Sequence, residues 1–556
     1  MPKTIIYQLL PRLYTNTRDN NKPNGTITEN GSGKLNDIND DALQSLVNLG
    51  ITHVWYTGVI RHASATRYPS IPNNANANVV KGQAGSPYAI IDYYDVDPDL
   101  AQNIDNRLDE WRALVQRTHA HGLKVIIDFV PNHVARQYHS NIRPETTLGI
   151  NDDPSQHFSP QNNFYYLPSQ SLTPPVSNLD VPYTETPAKA SGNDAFTSAP
   201  SIHDWYETVK LNFGRDYTPG GTDHFDPRPD TWNKMRDILL YWIQTGVDGF
   251  RVDMTHMVPV QFWQWLIPQI TARHPNTTFI GEIYDINKYN DYIKAGFNTL
   301  YDKVNFYDTI RDVITGAAPA NTITHIWRRT ENQDPHLLYF LENHDEQRIA
   351  SQQFAADPLR ARPAYTLALT MSRAATMIYA GQELGEPAND SEGYSGHDGR
   401  TTIFDYWSVP SLRRNVSAYK FDGSGLLPEE RSLHDWYARL NNLVQQHEAL
   451  STGNFYDLLW INQHIWVDSA NVYAYLRYNQ DERFLIVLNF AATSRRQRLR
   501  IPDDAWRLMG STWNECITPY DLLGNALFLA RDSVNNIKQN GLEVEIPPHD
   551  ALILKI

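Results

Sequence analysis

The feature that most constrains the fold is a repeated unit in which an amphipathic helix ends at a glycine and a short apolar strand follows. Three stretches of the chain have this order, with Gly50, Gly122 or Gly246 between helix and strand, and a fourth, 362–383, has a helix followed by a strand without that glycine. Helices that alternate with continuous apolar strands are typical of βαβ units and of a parallel sheet buried on both faces.

Apolar strands of this kind recur about eight times along the chain. They lie near residues 4–9, 51–59, 124–130, 249–254, 278–284, 298–304, 337–341 and 376–380. Eight strands fit a closed (β/α)8 TIM barrel. An open doubly wound sheet is the alternative, but the chain has no G-x-G-x-x-G or P-loop sequence that would favour it. We therefore predict an α/β protein built on a barrel.

Two stretches interrupt this alternation. Residues 134–222 are rich in Asn, Pro, Ser and Tyr and too long for a simple loop, which predicts a subdomain inserted after the third strand. After residue 450, short alternating segments predict an all-β domain. We predict a catalytic barrel over 1–133 and 223–449, an inserted subdomain over 134–222 and a C-terminal β-sandwich over 450–556. The insertion holds aromatic residues that either stack on sugars or pack the subdomain: Tyr165, Tyr166, Trp205 and Tyr206.

Polar residues end four of the predicted strands. In GVDGFRVDMTH, Phe250 and Val252 share one face of the strand, while Arg251 and Asp253 share the other, which would point into the barrel. A structural Arg–Asp pair is the alternative, but such a pair is rarely more stable than apolar packing. The other strand ends supply Asp128, Asn132 and His133 in DFVPNH, Glu282 in FIGEIYD, and Asn343, His344 and Asp345 in FLENHDEQR.

These side chains suit the cleavage of glycosidic bonds. The C-terminal ends of barrel strands converge on one site, so the carboxylates are expected to meet there. A retaining mechanism needs two carboxyl groups about 5 Å apart. We predict Asp253 as the nucleophile, kept ionised by Arg251, and Glu282 as the acid in a drier position. Asp345 is predicted to stabilise the positively charged transition state. Two histidines are predicted to hydrogen-bond sugar hydroxyls: His133 and His344.

The four segments resemble the conserved regions of the α-amylase family, glycoside hydrolase family 13. DFVPNH, GFRVDMTH, GEIY and FLENHD occur in the family's order, and the insertion and the β-rich C-terminus match its domains. The resemblance implies Asp253 as nucleophile, Glu282 as acid/base and Asp345 as stabiliser. The segment SPYAIIDYYDVDP implies that Tyr88 stacks on the sugar. The residues predicted to bind substrate are Arg251, His133, His344, Tyr88, Asp128 and His256.

Within the family, the chain looks most like bacterial α-amylases and neopullulanase-like enzymes. This resemblance implies hydrolysis of α-1,4-glucosidic bonds in starch-type glucans or maltooligosaccharides. Transglycosylation or isomerisation through the same covalent intermediate is the alternative, and a non-catalytic scaffold is a third. Ala89 stands where exo-acting relatives usually have Asp, which favours a site open to longer chains. His256 follows Thr255 instead of the family's usual Lys, which leaves contacts on the leaving-group side open.

The family often binds calcium at two places from which this sequence departs. Lys210 and Lys34 stand where an Asp is expected. An ammonium group can fill a cation's place but cannot ligate calcium. We therefore predict no metal at these two positions, without excluding calcium elsewhere, and we expect Asn132 to face Lys210.

Charge and cysteine content bear on partners and location. The net charge of −15 argues against nucleic acid and anionic membranes as partners. A lone cysteine, Cys516, excludes an intramolecular disulfide and fits a reducing compartment. The first residues lack the pattern of a signal peptide, so we predict a cytoplasmic enzyme, or a secreted one if a leader was removed. The sequence makes no prediction of the oligomeric state.

Overall fold

Eight parallel strands close into one barrel in the computed structural model, which describes residues 3–177, 181–464, 467–511 and 515–556. The strands are β1 (Ile5–Leu9), β2 (His53–Tyr56), β3 (Lys124–Phe129), β4 (Gly249–Val252), β5 (Thr278–Gly281), β6 (Thr299–Tyr301), β7 (Leu337–Phe340) and β8 (Ala375–Tyr379). Each strand pairs with the next, and Ile5 of β1 lies opposite Thr376 of β8 to close the ring. The predicted barrel is confirmed.

Helices surround the barrel and connect its strands. Several of them end as the sequence predicts, because Gly50, Gly122 and Gly246 adopt the left-handed φ values of 83°, 74° and 99° that terminate a helix. The main helices are α1 (Asp40–Asn48), α2 (Arg107–Ala120), α3 (Asp230–Ile243), α4 (Val260–Thr271), α5 (Tyr289–Ala295), α6 (Asp308–Thr315), α7 (Ala361–Thr370) and α8 (Pro428–Gln446). Shorter helices, Thr324–Thr330 and Pro410–Val416, lie between them.

The two faces of each strand have different neighbours. On β3, Val125 and Ile127 join the apolar cluster under the helices, whereas Ile126 packs with Ile280, Leu338 and other residues inside the barrel. Because side chains alternate, the strands also direct residues at their C-terminal ends into the barrel mouth. This is the geometric origin of the site described below.

The chain between β3 and α3 forms short antiparallel ribbons. His133–Ala135 pairs with Thr208–Lys210, and Tyr166–Leu167 pairs with Ala188–Lys189. Tyr165 is almost fully buried, so it packs this region and is not an exposed sugar platform. The boundaries predicted at residues 134 and 222 stay predictions.

A C-terminal region of antiparallel strands follows α8. Among the described residues, a five-stranded sheet contains Asn454–Asp457, Val472–Tyr478, Arg483–Asn489, Asp550–Lys555 and Tyr520–Asp521. A three-stranded sheet packs on one of its faces through a second apolar cluster. The all-β prediction holds, with short helices added beside the strands: Leu459–Asn462, Asp503–Leu508 and Val534–Asn540. No helix of the described chain has the length and hydropathy needed to cross a bilayer.

Candidate active site

The guanidinium of Arg251 lies at the centre of the carboxyl groups that the strand ends bring together. Arg251 is fully buried, and its Nη1 donates to Asp253 Oδ1 at 2.9 Å. Its Nη2 lies 2.7 Å from Glu282 Oε1, and Asp128 Oδ1 lies 3.6 Å from Nη1. Asp253 and Glu282 line the same cavity of about 280 Å³. Two carboxyl groups from different strands therefore share one cation and face one space.

Aromatic rings hold that guanidinium in place. Arg251 Cζ lies 5.2 Å from the ring centre of Trp55 and 5.4 Å from those of Tyr88 and Tyr301. Cation–π attraction is strongest where water is excluded, as it is here. The rings thus fix the charge against which the carboxyl groups are arranged.

Two hydrogen-bond donors and the charge of Arg251 surround the carboxyl group of Glu282. Besides Arg251, the hydroxyl of Tyr284 donates to Oε1 at 2.6 Å, and the backbone N–H of Met254 donates to Oε2 at 2.8 Å. Met254 follows Asp253 with φ 42° and ψ 44°, a left-handed conformation that is uncommon for a residue with a side chain. Such strain often occurs at functional sites, and here it belongs to the turn whose N–H reaches Glu282.

Negative charge exceeds positive charge at the bottom of the cavity. We call the carboxyl groups of Asp128, Asp253, Glu282 and Asp345, with Arg251 among them, the catalytic floor. Burial raises the pKa of Asp253 well above its usual range, and Glu282 raises it further, while Arg251 acts in the opposite direction. Burial also raises the pKa of Asp128 to about 6. The expectation that Arg251 keeps Asp253 ionised is therefore opposed by burial and by the neighbouring carboxylates.

The two histidines of the site are uncharged at neutral pH. Burial, with Arg251 nearby, lowers the pKa of His344 to about 3. Burial, with Lys210 and Lys81 nearby, lowers the pKa of His133 to about 3. Both rings line the cavity, where neutral imidazoles are suited to hydrogen-bond a sugar hydroxyl.

Tyr88, His344 and Asp345 form one contact chain along the cavity. The Tyr88 ring stacks on His344 with centroids 5.1 Å apart, and its hydroxyl lies 2.6 Å from His344 Nε2. That nitrogen is also 3.2 Å from Asp345 Oδ2. The Asp345 side chain is 45% exposed, and Arg400 Nε donates to its backbone carbonyl at 2.6 Å. Asp345 is thus the floor carboxyl most open to the cavity.

The remaining predicted residues lie at the edge of the site or beneath it. Asp128 accepts a hydrogen bond from Trp55 Nε1 at 3.0 Å and does not line the cavity. His256 is half-buried against the ring of Tyr284, 5.9 Å between centroids, and is likewise outside the cavity lining. The structure therefore brings six of the nine predicted residues to the cavity surface: Tyr88, His133, Asp253, Glu282, His344 and Asp345.

Other residues line the cavity without having been predicted. They come from the segment after β2, the insertion, the residues after β4 and β5 and the loop after β8: Lys81, Ser86, Glu207, Thr208, Met254, Tyr284, Ile403 and Phe404. Trp205, for which the sequence allowed either stacking on a sugar or packing of the subdomain, lines the cavity too. Loop residues such as these have no periodic pattern that a single sequence could reveal. Tyr284, two residues after Glu282, is the exception, because the strand predicted near residues 278–284 would place both on the same face.

The residues around Asn132 do not fit a calcium ion. The ammonium of Lys210 lies 2.5 Å from Asn132 Oδ1 and 2.6 Å from Asp194 Oδ1, so a positive charge already occupies the space between these oxygens. The Nζ of Lys34 similarly donates to the Asp99 carbonyl at 2.6 Å. Within the described ranges, no group of three or more His, Cys, Asp or Glu side chains is arranged to hold a metal.

The chain is similar to known proteins over most of its length. Residues 8–406 match the family model of the alpha amylase catalytic domain, and residues 466–556 match that of the alpha amylase C-terminal all-beta domain. Alpha-amylase 3 of Dictyoglomus thermophilum is 22% identical over 84% of this chain and 82% of its own. Neopullulanase 2 of Thermoactinomyces vulgaris is 22% identical over 99% of this chain and 77% of its own. The crystal structure of a noncanonic maltogenic alpha-amylase AmyB from Thermotoga neapolitana shares the fold with a TM-score of 0.63 at 19% identity, covering 100% of this chain and 98% of that one.

Proposed function

The chain belongs to the α-amylase family, and on that premise we propose that it is a retaining glycosidase that cleaves α-1,4-glucosidic bonds in starch-type glucans or maltooligosaccharides. The observation that supports this most directly is the position of Arg251, whose two terminal nitrogens contact Asp253 and Glu282 beside one cavity. A retaining mechanism requires two carboxyl groups close to one sugar, and contact with the same guanidinium keeps these two near each other.

In the first step the glycosidic bond is exchanged for an ester. Glu282 transfers its proton to the glycosidic oxygen, the bond between that oxygen and the anomeric carbon breaks, and an Asp253 oxygen bonds to that carbon. The positive charge that develops on the sugar ring is stabilised by Asp345.

In the second step the ester is hydrolysed. Glu282, now a carboxylate, takes a proton from water while the water oxygen attacks the anomeric carbon and Asp253 leaves. The donors on Glu282, Tyr284 and the N–H of Met254, stabilise this carboxylate. Two inversions at the same carbon leave the α configuration of the product unchanged. A sugar hydroxyl in place of water would give transglycosylation by the same chemistry.

A panel of glucans with product sizing tests this proposal. The wild type is incubated with starch, maltoheptaose, pullulan and sucrose, and the anomeric form of the first product is followed by NMR. Release of α-configured products from α-1,4 substrates supports the proposal, and products longer than the substrate would identify a transferase. No turnover of any of these substrates by folded protein would overturn it.

Two further expectations stay proposals. We propose that the enzyme needs no calcium at the Asn132 and Asp99 positions, because Lys210 and Lys34 supply the positive charge there. The predicted cytoplasmic location is consistent with the exposed free thiol of Cys516.

A further inference from the structure

We propose that the cavity is a pocket closed on the side of the substrate's non-reducing end, so that the enzyme removes glucose or maltose from chain ends and does not cut within chains. This inference rests on the proposed glycosidase function. The closed side, which we call the end wall, is formed by Lys81, Glu207, Ile403 and Phe404, all of which line the cavity.

The first half of the end wall joins the segment after β2 to the insertion. Lys81 Nζ and Glu207 Oε2 lie 3.1 Å apart, and the two residues are 8% and 4% exposed. Next to them, the Tyr206 hydroxyl lies 3.4 Å from the Val80 carbonyl, and Lys81 Nζ lies 5.5 Å from the Tyr206 ring centre. Two segments distant in sequence are therefore locked together across this end of the cavity.

The second half comes from the loop after β8. The N–H of Ala84 donates to the Phe404 carbonyl at 2.9 Å. Gly82 permits this approach, because it has φ 64° and a Cβ there would meet the Phe404 carbonyl oxygen at 2.2 Å. Arg12 donates to the Ile403 carbonyl at 2.6 Å and to the Ala84 carbonyl at 3.3 Å. These bonds tie the loop to the segment that carries Lys81 and leave the wall well supported.

The contacts of the wall place it near His133, and from this we assign it to the side of the floor away from the leaving group. Trp205, beside Glu207 in the chain, packs on His133 at 5.1 Å between ring centroids, and the charge of Lys81 contributes to the lowered pKa of His133. Glu282 instead contacts Tyr284. Because the acid Glu282 protonates the departing oxygen, its side receives the leaving group, and the His133 side receives the non-reducing end.

The chemistry of the Lys81–Glu207 pair suits terminal sugar hydroxyls. A buried ion pair is stable only when further hydrogen bonds satisfy its donors and lone pairs. Apart from Lys81, no group of the described chain donates to Glu207 Oε2. Sugar hydroxyls both donate and accept, so a terminal glucose can complete this pair. One cavity of about 280 Å³ touches both the wall and the floor, so a sugar bound at the floor also meets the wall.

This arrangement changes the expectation drawn from Ala89. The side chain of Ala89 is buried in an apolar cluster with Val80 and Ile91 and does not line the cavity. Its identity therefore does not determine whether the cavity is open. The end wall, built from other segments, provides the contact that an Asp at this position would otherwise offer.

A substrate blocked at its non-reducing end tests the inference on the wild-type enzyme. Maltoheptaose and its 4,6-O-ethylidene derivative are compared at equal concentration, with a reducing-end label to follow product size. The inference predicts release of glucose or maltose from maltoheptaose at the first time points and a loss of at least about a hundredfold with the blocked chain, the scale of a buried polar contact left unpaired. Equal cleavage of both chains would overturn it, and no cleavage of either would overturn the proposed function.

A substitution in the end wall distinguishes a loss of end recognition from a general loss of activity. Glu207→Ala removes the carboxylate and opens space, so the ratio of kcat/KM for the blocked chain to that for maltoheptaose should rise at least tenfold. A merely structural role would lower both values and leave the ratio unchanged. Arg107→Met is the matched control, because it breaks a buried ion pair with Asp95 (2.6 Å) outside the cavity lining. An unchanged ratio in folded Glu207→Ala would overturn the inference.

Discussion

The catalytic floor and the end wall both bury charge beside the substrate, but they differ in balance. The floor gathers four carboxyl groups near Arg251, whereas the wall pairs Lys81 with Glu207. In the floor, burial and the neighbouring carboxyl groups raise the pKa of Asp253, and Arg251 opposes that rise. A balanced pair carries no net charge and suits a neutral sugar. In our proposals the floor residues cleave the bond and the wall residues recognise the chain end. Substitutions in one group should therefore change one of these properties without the other.

The largest effect is expected from Asp253→Asn in the floor. An amide cannot form the glycosyl ester, so kcat on maltoheptaose should fall about a thousandfold or more, the scale seen when a catalytic group is removed. The measurement is release of reducing sugar. Asp291→Asn, an exposed position on α5, is the control and should retain wild-type activity. A loss below tenfold in Asp253→Asn would contradict its role as nucleophile.

Glu282→Gln should give a loss of similar size that depends on the leaving group. The variant cannot protonate a glycosidic oxygen, but fluoride departs without a proton. Activity on maltoheptaose should therefore fall about a thousandfold, while the rate of fluoride release in the first turnover of α-maltosyl fluoride falls much less. Glu331→Gln, an exposed position, serves as the control. Equal losses on both substrates would show that Glu282 is not the acid.

Lys210→Met tests the contacts that join Lys210 to Asn132, after β3, and to Asp194 in the insertion. Removing the ammonium leaves Asn132 Oδ1 without this donor and Asp194 without its partner, so we expect a loss of about 1–3 kcal/mol in the free energy of unfolding. Urea denaturation measures this loss. Lys34→Met is the matched control and should cost less, because Lys34 is only partly buried. A loss no larger than the control's would contradict the proposed role of Lys210.

Tyr284→Phe should have a smaller effect, confined to the pH dependence. The Tyr284 hydroxyl donates to Glu282 and stabilises its carboxylate form. Without it the protonated acid persists to higher pH, so the alkaline limb of kcat/KM should move up by about one pH unit, equivalent to about 1.4 kcal/mol. Tyr289→Phe, which loses a buried hydroxyl bonded to Asp302, is the control. If kcat/KM falls by the same factor at every pH, Tyr284 has a structural role instead.

The smallest effect is expected from chelation. If lysines supply the charge at the Asn132 and Asp99 positions, EDTA should change neither kcat/KM nor the melting temperature by more than experimental error. Dialysis against EDTA followed by calorimetry provides the measurement. A drop in melting temperature that millimolar calcium restores would show that the chain holds a calcium ion elsewhere.

The floor was predictable from sequence, and the end wall was not, for a geometric reason. Arg251 and Asp253 stand out because two charged residues rarely occupy the same face of a buried strand. A barrel also brings the C-terminal ends of its strands to one place. Lys81 and Glu207 lie on loops where charged residues are ordinary, and their pairing depends on how two long segments fold over the barrel. The raised pKa of Asp253 was not predictable from the sequence either, because burial depends on neighbours that a sequence does not show.

The contact between the C-terminal sheet and the barrel helices determines how the molecule unfolds. On one face Tyr475 reaches Thr370 of α7 with its hydroxyl 2.5 Å from the threonine oxygen, and Arg477 donates to the Met371 carbonyl at 2.8 Å. Phe484 and Ile486 belong to the same apolar cluster as the helices of the barrel. The barrel helices and the last hundred residues thus share one apolar core. Because a large apolar interface couples two regions, we expect heating to melt both in one cooperative transition that leaves no active fragment.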